Sequence, residues 1–594
     1  MNDAVEDVRL VQQQQIAALV AARVAPESQA TVQAFVTRYY AQVDPEDLQE
    51  RLPADLYGAA LSHFNFARRR EPGHARVRAF NPTLEEHGWQ SPHTIVEIVN
   101  DDMPFLVDSV AMEANRHGVV LHLIIHPIIA VTRSADGVLT GVGKESTDRR
   151  AESFIHLEVD RTTDAAALDA LATDIVRVLG DVRCAFADWK PMRDKARAIA
   201  ADIAQNPPPL PREQCEEGAA FLAWLADNHF TFLGYRCHDL VRIEGQDALQ
   251  IVPGTSLGLA RLREAPGKDV AASFSTLPPE VRAYARRPEL LVITKSTSRS
   301  TVHRPGYLDY IGVKRFDASG EVCGEHRFLG LFTHTAYSAN PADIPLLRHK
   351  TANVIRRVNL PAGGHAEKQL VNILDNYPRD ELLQIGEDDL VRTATGILHL
   401  GDRQRFRLFL RRDPFERFIT CLIYAPRENY RTEVRQKWQA LLLQAFHGQG
   451  SDFNVHLSES PLARVMITVR TTPGKVPEVD ARALEAKLAA AARRWDDGLK
   501  DALVHALGDA RGNALFRVFG RAFPVGYRDE FAARQAVPDI ETMDRLTAAS
   551  PLGMSLSRPL EAQVGTMRFK LFRRGAPVAL SDSLPMLERM GARC

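Results

Sequence analysis

Thr94-Ile95-Val96-Glu97-Ile98-Val99-Asn100-Asp101-Asp102-Met103-Pro104-Phe105-Leu106-Val107-Asp108-Ser109-Val110 decides how this chain is read. Its first six residues are mostly β-branched and predict a strand. Asp102 then stands where a helix cap belongs, with Pro104 in the first turn, and the spacing behind them predicts a helix to about His117, stopped by Gly118. A long apolar strand, Val119–Val131, follows and turns at Ala135-Asp136-Gly137. Next come a strand over Ser153–Val159 and a helix with Leu168, Leu171, Ile175 and Val178 on one face and Gly180 as its stop. A short strand, Val182–Phe186, closes the unit. The order β-α-β-β-α-β is that of the ferredoxin-like plait, two helices on one face of an antiparallel sheet.

Similar units recur further along. Strand Phe418–Tyr424 precedes a helix with Val434, Trp438, Leu441, Leu442 and Phe446, then strands Phe453–Leu457 and Ala463–Arg470 and an Ala-rich helix from near Val479. A third unit opens with strand Thr566–Arg573, a Ser581 cap, a short helix (Leu584, Leu587, Met590) and Gly591, and reaches Cys594 where its second strand is due. The expectation is therefore the front part of a longer polypeptide. Its tail, from about Thr566, is expected to be poorly ordered or paired with another chain.

The organisation read from the chain is a helical region 1–90, a plait 91–190, a linker 191–215 stiffened by Pro207-Pro208-Pro209 and Pro211, and a central α+β domain 216–402. A second plait 403–510, a helical connector 511–564 and the start of a third plait 565–594 complete it. The central domain's clearest strands are Phe230–Tyr235, Leu290–Thr294, Tyr310–Phe316 and His326–Phe332, with a helix at Leu346–Val358. The fold class is α+β, multidomain, with a repeated plait.

Bulk properties narrow the function. Lys and Arg number 74 against 75 Asp and Glu in 594 residues, a net charge of −1, which favours neither nucleic acid nor an anionic membrane as partner. The six cysteines are scattered without a CxxC pair, as expected of reduced thiols in a cytoplasm rather than disulfides or a zinc site. The acidic, Gln-rich start is no signal peptide, and no apolar run nears the roughly 20 residues that span a bilayer.

Motifs exclude more than they assign. GxGxxG after a strand, GxxxxGK[ST], HExxH and GxSxG are all missing, and Gly363-Gly364 is read as a turn. Three stretches remain. Asn100, Asp101, Asp102 and Phe105 mark a helix start, where carboxylates meet the positive helix end; capping is the preferred reading and a small-molecule pocket the alternative. His122 and His126 share a strand face about 13 Å apart, too far for one metal, and are read as structural. Lys295, Arg299, His303 and Arg304, with Lys314 and Arg315 nearby, carry groups that could grip a phosphate or carboxylate, but a salt-bridged interface is preferred. The Arg68–Arg70 triplet is read as a solvated helix end.

Longer stretches carry a resemblance. Gly88-Trp89-Gln90-Ser91-Pro92-His93, the opening segment from Val99 to Val110, and His229-Phe230-Thr231-Phe232-Leu233-Gly234-Tyr235 resemble the N-terminal part of the large bacterial NAD-specific glutamate dehydrogenases. So do Ser298-Arg299-Ser300-Thr301-Val302-His303-Arg304, Arg327-Phe328-Leu329-Gly330-Leu331-Phe332 and Leu580–Glu588. The resemblance implies ACT-like plaits in a much longer enzyme that converts L-glutamate and NAD to 2-oxoglutarate, ammonia and NADH. Its catalytic lysine, catalytic aspartate and nicotinamide site are expected beyond this chain, so no catalytic or cofactor residue is carried onto it and NAD is not expected to bind it. Self-association, the missing catalytic part and an amino-acid effector are the partners implied. In one respect the chain departs from amino-acid-binding ACT domains: Phe105 stands where their strand-to-helix turn has glycine, which points to packing or assembly rather than ligand capture. A freestanding ACT-type amino-acid sensor is the alternative.

Overall fold

The structure, a computed structural model, describes residues 2–143, 150–243, 246–262, 286–401, 403, 405–458, 460–558 and 567–591, so the expectations on Thr566 and Cys594 lie outside the described residues. The chain forms two compact units, Met1–His399 with Asp413–Arg417, and Leu400–Arg412 with Phe418–Cys594. No helix among the described residues is long and apolar enough to cross a membrane.

The first unit begins with helices α1 (Asn2–Arg23), α2 (Pro26–Tyr39), α3 (Pro45–Gln49) and α4 (Pro53–Ala67). Then come β1 (Arg76–Phe80), α5 (Leu84–His87), β2 (Thr94–Asp101), α6 (Leu106–Arg116), β3 (Leu121–Ile125), β4 (Ile128–Arg133), β5 (Leu139–Val142), β6 (Arg150–Val159) and α7 (Ala165–Gln205). The sheet runs β1-β2-β6-β4-β5, with β3 also on β6, all antiparallel. A plait is present, but its order along the chain differs from expectation. The place beside β2 belongs to β1, which precedes β2, and not to a closing strand at Val182–Phe186.

That closing strand is helix: α7, 41 residues long, continues through it. Val182, Ala185, Met192 and Ala196 are buried at the three- and four-residue spacing of Leu171, Ile175, Val178 and Leu179, so one apolar face carries on past Gly180. Gly180 stops nothing. The 191–215 segment is likewise helical as far as Gln205. Val119–Val131 divides at His126-Pro127 into β3 and β4, which pair in succession along β6; Pro127 has no N–H for a ladder.

Both faces of this sheet are covered. Val99, Ile129, Val131 and Phe154 pack with Ile16, Phe35, Tyr39 and Phe64 of the N-terminal helices. Val96, Ile98, Ile155 and Leu157 pack with Val110 of α6 and Leu171 and Ile175 of α7. Burial on both sides explains why β2 reads as a continuous apolar run. The arginine triplet also departs from expectation: Arg70 is buried, donating to Glu152 at 2.8 Å and Asp101 at 2.5 Å, while Arg68 and Arg69 are exposed.

After α8 (Arg212–Trp224), the central sheet comprises β7 (Phe230–Ile243), β8 (Gln246–Ile251), β9 (Leu257–Gly258), then α9 (Leu259–Leu262), β10 (Leu291–Arg299), β11 (Tyr307–Phe316) and β12 (Val322–Phe332). Its order is β10-β11-β12-β7-β8, with β9 on β7. Leu233, Leu308 and Leu331 share the core under α6 and α7, so the first plait and the central sheet have one common interior. Helices α10 (His334–Ser338), α11 (Leu347–Val358), α12 (His365–Asp375), α13 (Arg379–Gln384) and α14 (Glu387–Leu398) follow.

The second unit opens with β13 (Arg407–Arg412), β14 (Phe418–Pro426), α15 (Thr432–Ala445), β15 (Gly450–His456), β16 (Leu462–Arg470) and α16 (Ala481–Ala492). The sheet order β13-β14-β16-β15 repeats the arrangement of the first plait, with the strand beside β14 again coming before it. Trp438 and Leu442 of α15 and Leu484 and Leu488 of α16 cover one face, on Ile419, Cys421, Ile423, Val465 and Ile467. Helices α17 (Trp495–Leu507), α18 (Asp509–Phe519), α19 (Val525–Glu530) and α20 (Ala536–Asp544) enclose Leu499, Leu503, Leu515 and Ile540. Antiparallel β17 (Leu552–Ser557) and β18 (Arg568–Arg573) then lead to α21 (Leu580–Arg589), so the third unit also starts β-β-α. Ser581 does not cap α21: the cap position is Ala579, with no side-chain bond, whereas Gly591 ends the helix at φ +83°.

Candidate functional site

The opening turn of the first plait is held by neighbours on every side. Asn100 Oδ1 accepts from Arg183 Nη2 at 2.6 Å; Asp101 accepts from Arg70 Nη2 at 2.5 Å and from Arg183 Nη1 at 2.6 Å. Burial would raise the Asp101 pKa, but the Arg70 and Arg183 bonds outweigh it and hold the carboxyl below its ordinary value. Asp102 accepts from Ser153 Oγ at 2.7 Å, and the same hydroxyl meets His126 Nε2 at 3.0 Å. The capping expectation fails: the cap position of α6 is Phe105, with no side-chain bond, and Pro104 lies before the helix. These polar groups serve the sheet, not a helix end.

Phe105 has φ +72°, the left-handed region that glycine enters freely. The backbone there keeps a conformation suited to glycine while the half-buried phenyl ring packs against His303. The ring centroid lies 4.6 Å from that of His303, which is itself left-handed at φ +74°. Ser109 Oγ donates to Phe105 O at 2.5 Å and accepts from His303 N at 3.0 Å. Two stretches about 200 residues apart in sequence are thus brought into one contact. The 299–306 loop is fastened further by Thr301 Oγ1 donating to Asp181 at 2.6 Å and by fully buried Val302.

The four cationic candidates separate. Lys295 is half-buried between Asp309 at 2.6 Å and Asp380 at 3.0 Å, and Tyr337 donates to Asp380 at 2.6 Å. Arg304 donates to Phe332 O at 3.0 Å and to Tyr337 OH at 3.3 Å. Burial first, and Asp380 beside it, push the Asp309 carboxyl up to about 6 despite Lys295; in Asp380 the pull of Lys295 outweighs burial and the pKa falls. Arg299 lies over the Tyr307 ring at 4.8 Å. His303 Nδ1 is 3.6 Å from Asp108. Lys314 donates to Arg287 O at 2.7 Å and Arg315 to Asp239 at 2.6 Å. His122 bonds to Asp160 at 2.8 Å and stacks on His93, a structural role separate from that of His126.

Arg299, His303 and Arg304 also line a cleft of about 1150 Å³, closed on its other side by Asp108, Met112 and Arg116 of α6 and Asp174 and Arg177 of α7. Periodicity alone gave no sign of it, because its walls come from two helices and a distant loop. Glu113, His117 and Asp174 hold donor atoms within 4.8 Å of one another, as a metal site would. Two guanidinium groups already occupy these carboxylates: Arg116 lies 2.5 Å from Glu113 and 3.2 Å from Asp174, and Arg177 lies 3.3 and 3.2 Å from the same pair. With both carboxylates already paired to guanidinium groups, the cluster is an ion-pair network locking α6 to α7.

Comparison with known families follows this layout. Models described as glutamate dehydrogenase ACT1, ACT2 and ACT3 domains match residues 35–175, 407–496 and 551–594. Helical motifs 1 and 2 of the same enzyme match 344–403 and 502–546. The chain is 40% identical over 597 residues to an NAD-specific glutamate dehydrogenase of Halomonas elongata, covering 100% of this chain and 37% of that protein. It is 37% identical over 584 residues to that of Pseudomonas aeruginosa (98% and 36%) and 25% identical over 562 residues to that of Mycobacterium tuberculosis (91% and 32%). The chain thus spans little more than a third of the length of these relatives. Domain order and whole-length similarity together support the placing of this chain in the glutamate dehydrogenase family.

Proposed function

We propose that this chain is the regulatory and assembly portion of an NAD-dependent glutamate dehydrogenase, whose complete reaction turns L-glutamate, NAD and water into 2-oxoglutarate, ammonia and NADH. The observation that carries the reading is the repeated opening of two antiparallel strands and a helix, at β1 (with the one-turn α5 between its strands), β13 and β17, interleaved with helical motifs in the order of the matched domains. The described strand pairings are antiparallel, whereas dinucleotide cradles are built on parallel strand-turn-helix units. That supports assigning NAD and catalysis to other parts of the enzyme. The packing of Phe105 on His303 at the first ACT turn supports a packing role there over effector capture. The setting proposed is the cytoplasm.

The test is direct. The purified chain, given glutamate and NAD, is expected to make no NADH and to show no calorimetric NAD binding, while sedimentation shows it self-associated. Steady NADH production overturns the proposal.

A second reading, an amino-acid sensor, draws on the mixed charge of the cleft, where Asp108 and Asp174 stand among Arg116, Arg177 and Arg299. A thermal-shift screen of the twenty amino acids separates the two. Saturable stabilisation by one of them, lost in Arg299→Gln, favours the sensor.

A further inference from the structure

A second, smaller cleft lies where strand β10 loses its register. Between Lys295 and Arg299 the pairing with β11 shifts, and Ser296, Thr297 and Ser298 bulge out of the ladder. Bulges of this kind re-aim side chains and cluster beside binding sites. The three hydroxyl residues border a cavity of about 330 Å³ whose other walls include Arg236, Tyr310, Arg327 and Arg417. No carboxylate lines it among the described residues.

Among the described residues, the charged side chains that line the cleft are three arginines. Arg327 spends its Nε on Tyr310 OH at 3.1 Å and Glu325 at 3.2 Å, and its guanidinium lies over the Tyr310 ring at 5.0 Å. Among the described residues its two Nη groups take no hydrogen bond, although the side chain is only 24% exposed. Arg417 donates to Asp413 at 3.4 Å and Thr294 at 3.2 Å and lies 6.0 Å from the same ring. Arg236 donates to Ser256 Oγ at 3.1 Å and to Ala260 O. Among the described residues, Glu325 is the carboxylate that meets Arg327 and Asp413 the one that meets Arg417, and both stand outside the lining of the cleft. A half-buried guanidinium with unspent donors beside exposed Thr297 is a receptor for paired oxygens.

We propose that this bulge cleft binds a small dianion through carboxylate or phosphate oxygens, with Arg327 as its bidentate partner and Thr297 as a hydroxyl donor. The volume sits at the low end of small-molecule sites, about 300–1,000 Å³, and suits a short dicarboxylate or a phosphate. The proposal does not rest on the glutamate dehydrogenase reading, and its test involves neither NAD nor self-association.

The experiment is calorimetric titration of the whole chain with inorganic phosphate and with succinate, at ionic strength held constant with sodium chloride. Saturable binding of at least one is expected, and the stronger of the two identifies the ligand class. Affinity should fall at least about tenfold in Arg327→Gln, the loss expected for a charged bidentate contact. Thr297→Trp, at an exposed position, should block the cleft and abolish binding even if Arg327→Gln proves unstable. Binding of neither anion by the wild-type chain, or unchanged binding in Thr297→Trp or in a folded Arg327→Gln, overturns the proposal.

Discussion

Arg183 reaches back across the first plait to Asp101, Nη1 to Oδ2 at 2.6 Å, while its Nη2 holds Asn100 at 2.6 Å. The residue belongs to α7, in the stretch whose apolar pattern predicted a strand. Continuation of that helix is what aims the guanidinium at the turn, so the element misread from the sequence is also the one that fixes its carboxylates.

Asp101→Asn should therefore destabilise the chain by about 1–2 kcal/mol, since a charge-assisted pair is lost at a site 26% open to solvent. The wild-type pKa is depressed, so its contribution is complete above the unfolded value of about 3.9 and lost as pH falls below it. Urea unfolding should show the gap between variant and wild type at pH 7 shrinking below about pH 4. A gap independent of pH would contradict the assignment.

At Phe105 the usual ranking of substitutions should invert. Phe105→Gly and Phe105→Ala both lose the half-buried ring and its contact with His303, but only glycine sits at φ +72° without strain. Phe105→Gly should be more stable than Phe105→Ala by about 1 kcal/mol. The loss expected for a fully buried aromatic, about 3–5 kcal/mol, is too large for a ring that remains partly exposed. Equal or reversed stabilities in denaturant titrations would show that the backbone relaxes in the variants.

Lys295→Met should cost about 3 kcal/mol at pH 7, because buried Asp309 loses its cation and is left beside the partly exposed carboxylate of Asp380. The variant should recover stability on acidification towards pH 5. In the wild type, burial pushes the Asp309 carboxyl up to about 6, above its unfolded value, so its own contribution favours the fold most below about 3.9 and is lost as pH rises through about 6. Thermal melts across pH 5–8 check the sign.

Gly180→Ala should stabilise the protein by about 1 kcal/mol. The glycine is exposed within α7, and a Cβ placed there meets nothing within 4 Å. Had Gly180 been a helix stop, the same change would destabilise; melting temperatures decide.

Amides of β17 and β18 should exchange with solvent well before those of β14. The two-stranded sheet leaves Met554 64% and Leu556 61% exposed, and a lone pair of strands is marginal in water. Hydrogen exchange read by mass spectrometry should order the two regions this way. Equal protection would mean that another surface covers the hairpin.

Local pattern alone determined the class of this protein and much of its layout. The β-branched run at Thr94–Val99, the helix behind Pro104 and the matching series from Phe418 to Arg470 needed no tertiary information, because period and turn chemistry are properties of neighbouring residues. The order of the plait was decided elsewhere. β1 and β13 take the position beside β2 and β14 because an antiparallel edge accepts any strand the chain can deliver, and α7 keeps Val182 and Ala185 because its buried face runs on past Gly180. The sites belong wholly to the tertiary structure. Asp102 had the spacing of a cap and became a partner of Ser153; Lys295 and Arg299 are four residues apart, yet one lies between two carboxylates and the other at an open cleft. Packing of Phe105 on His303, and the unspent donors of Arg327, depend on elements that meet only when the core closes, and no sequence window contains both partners.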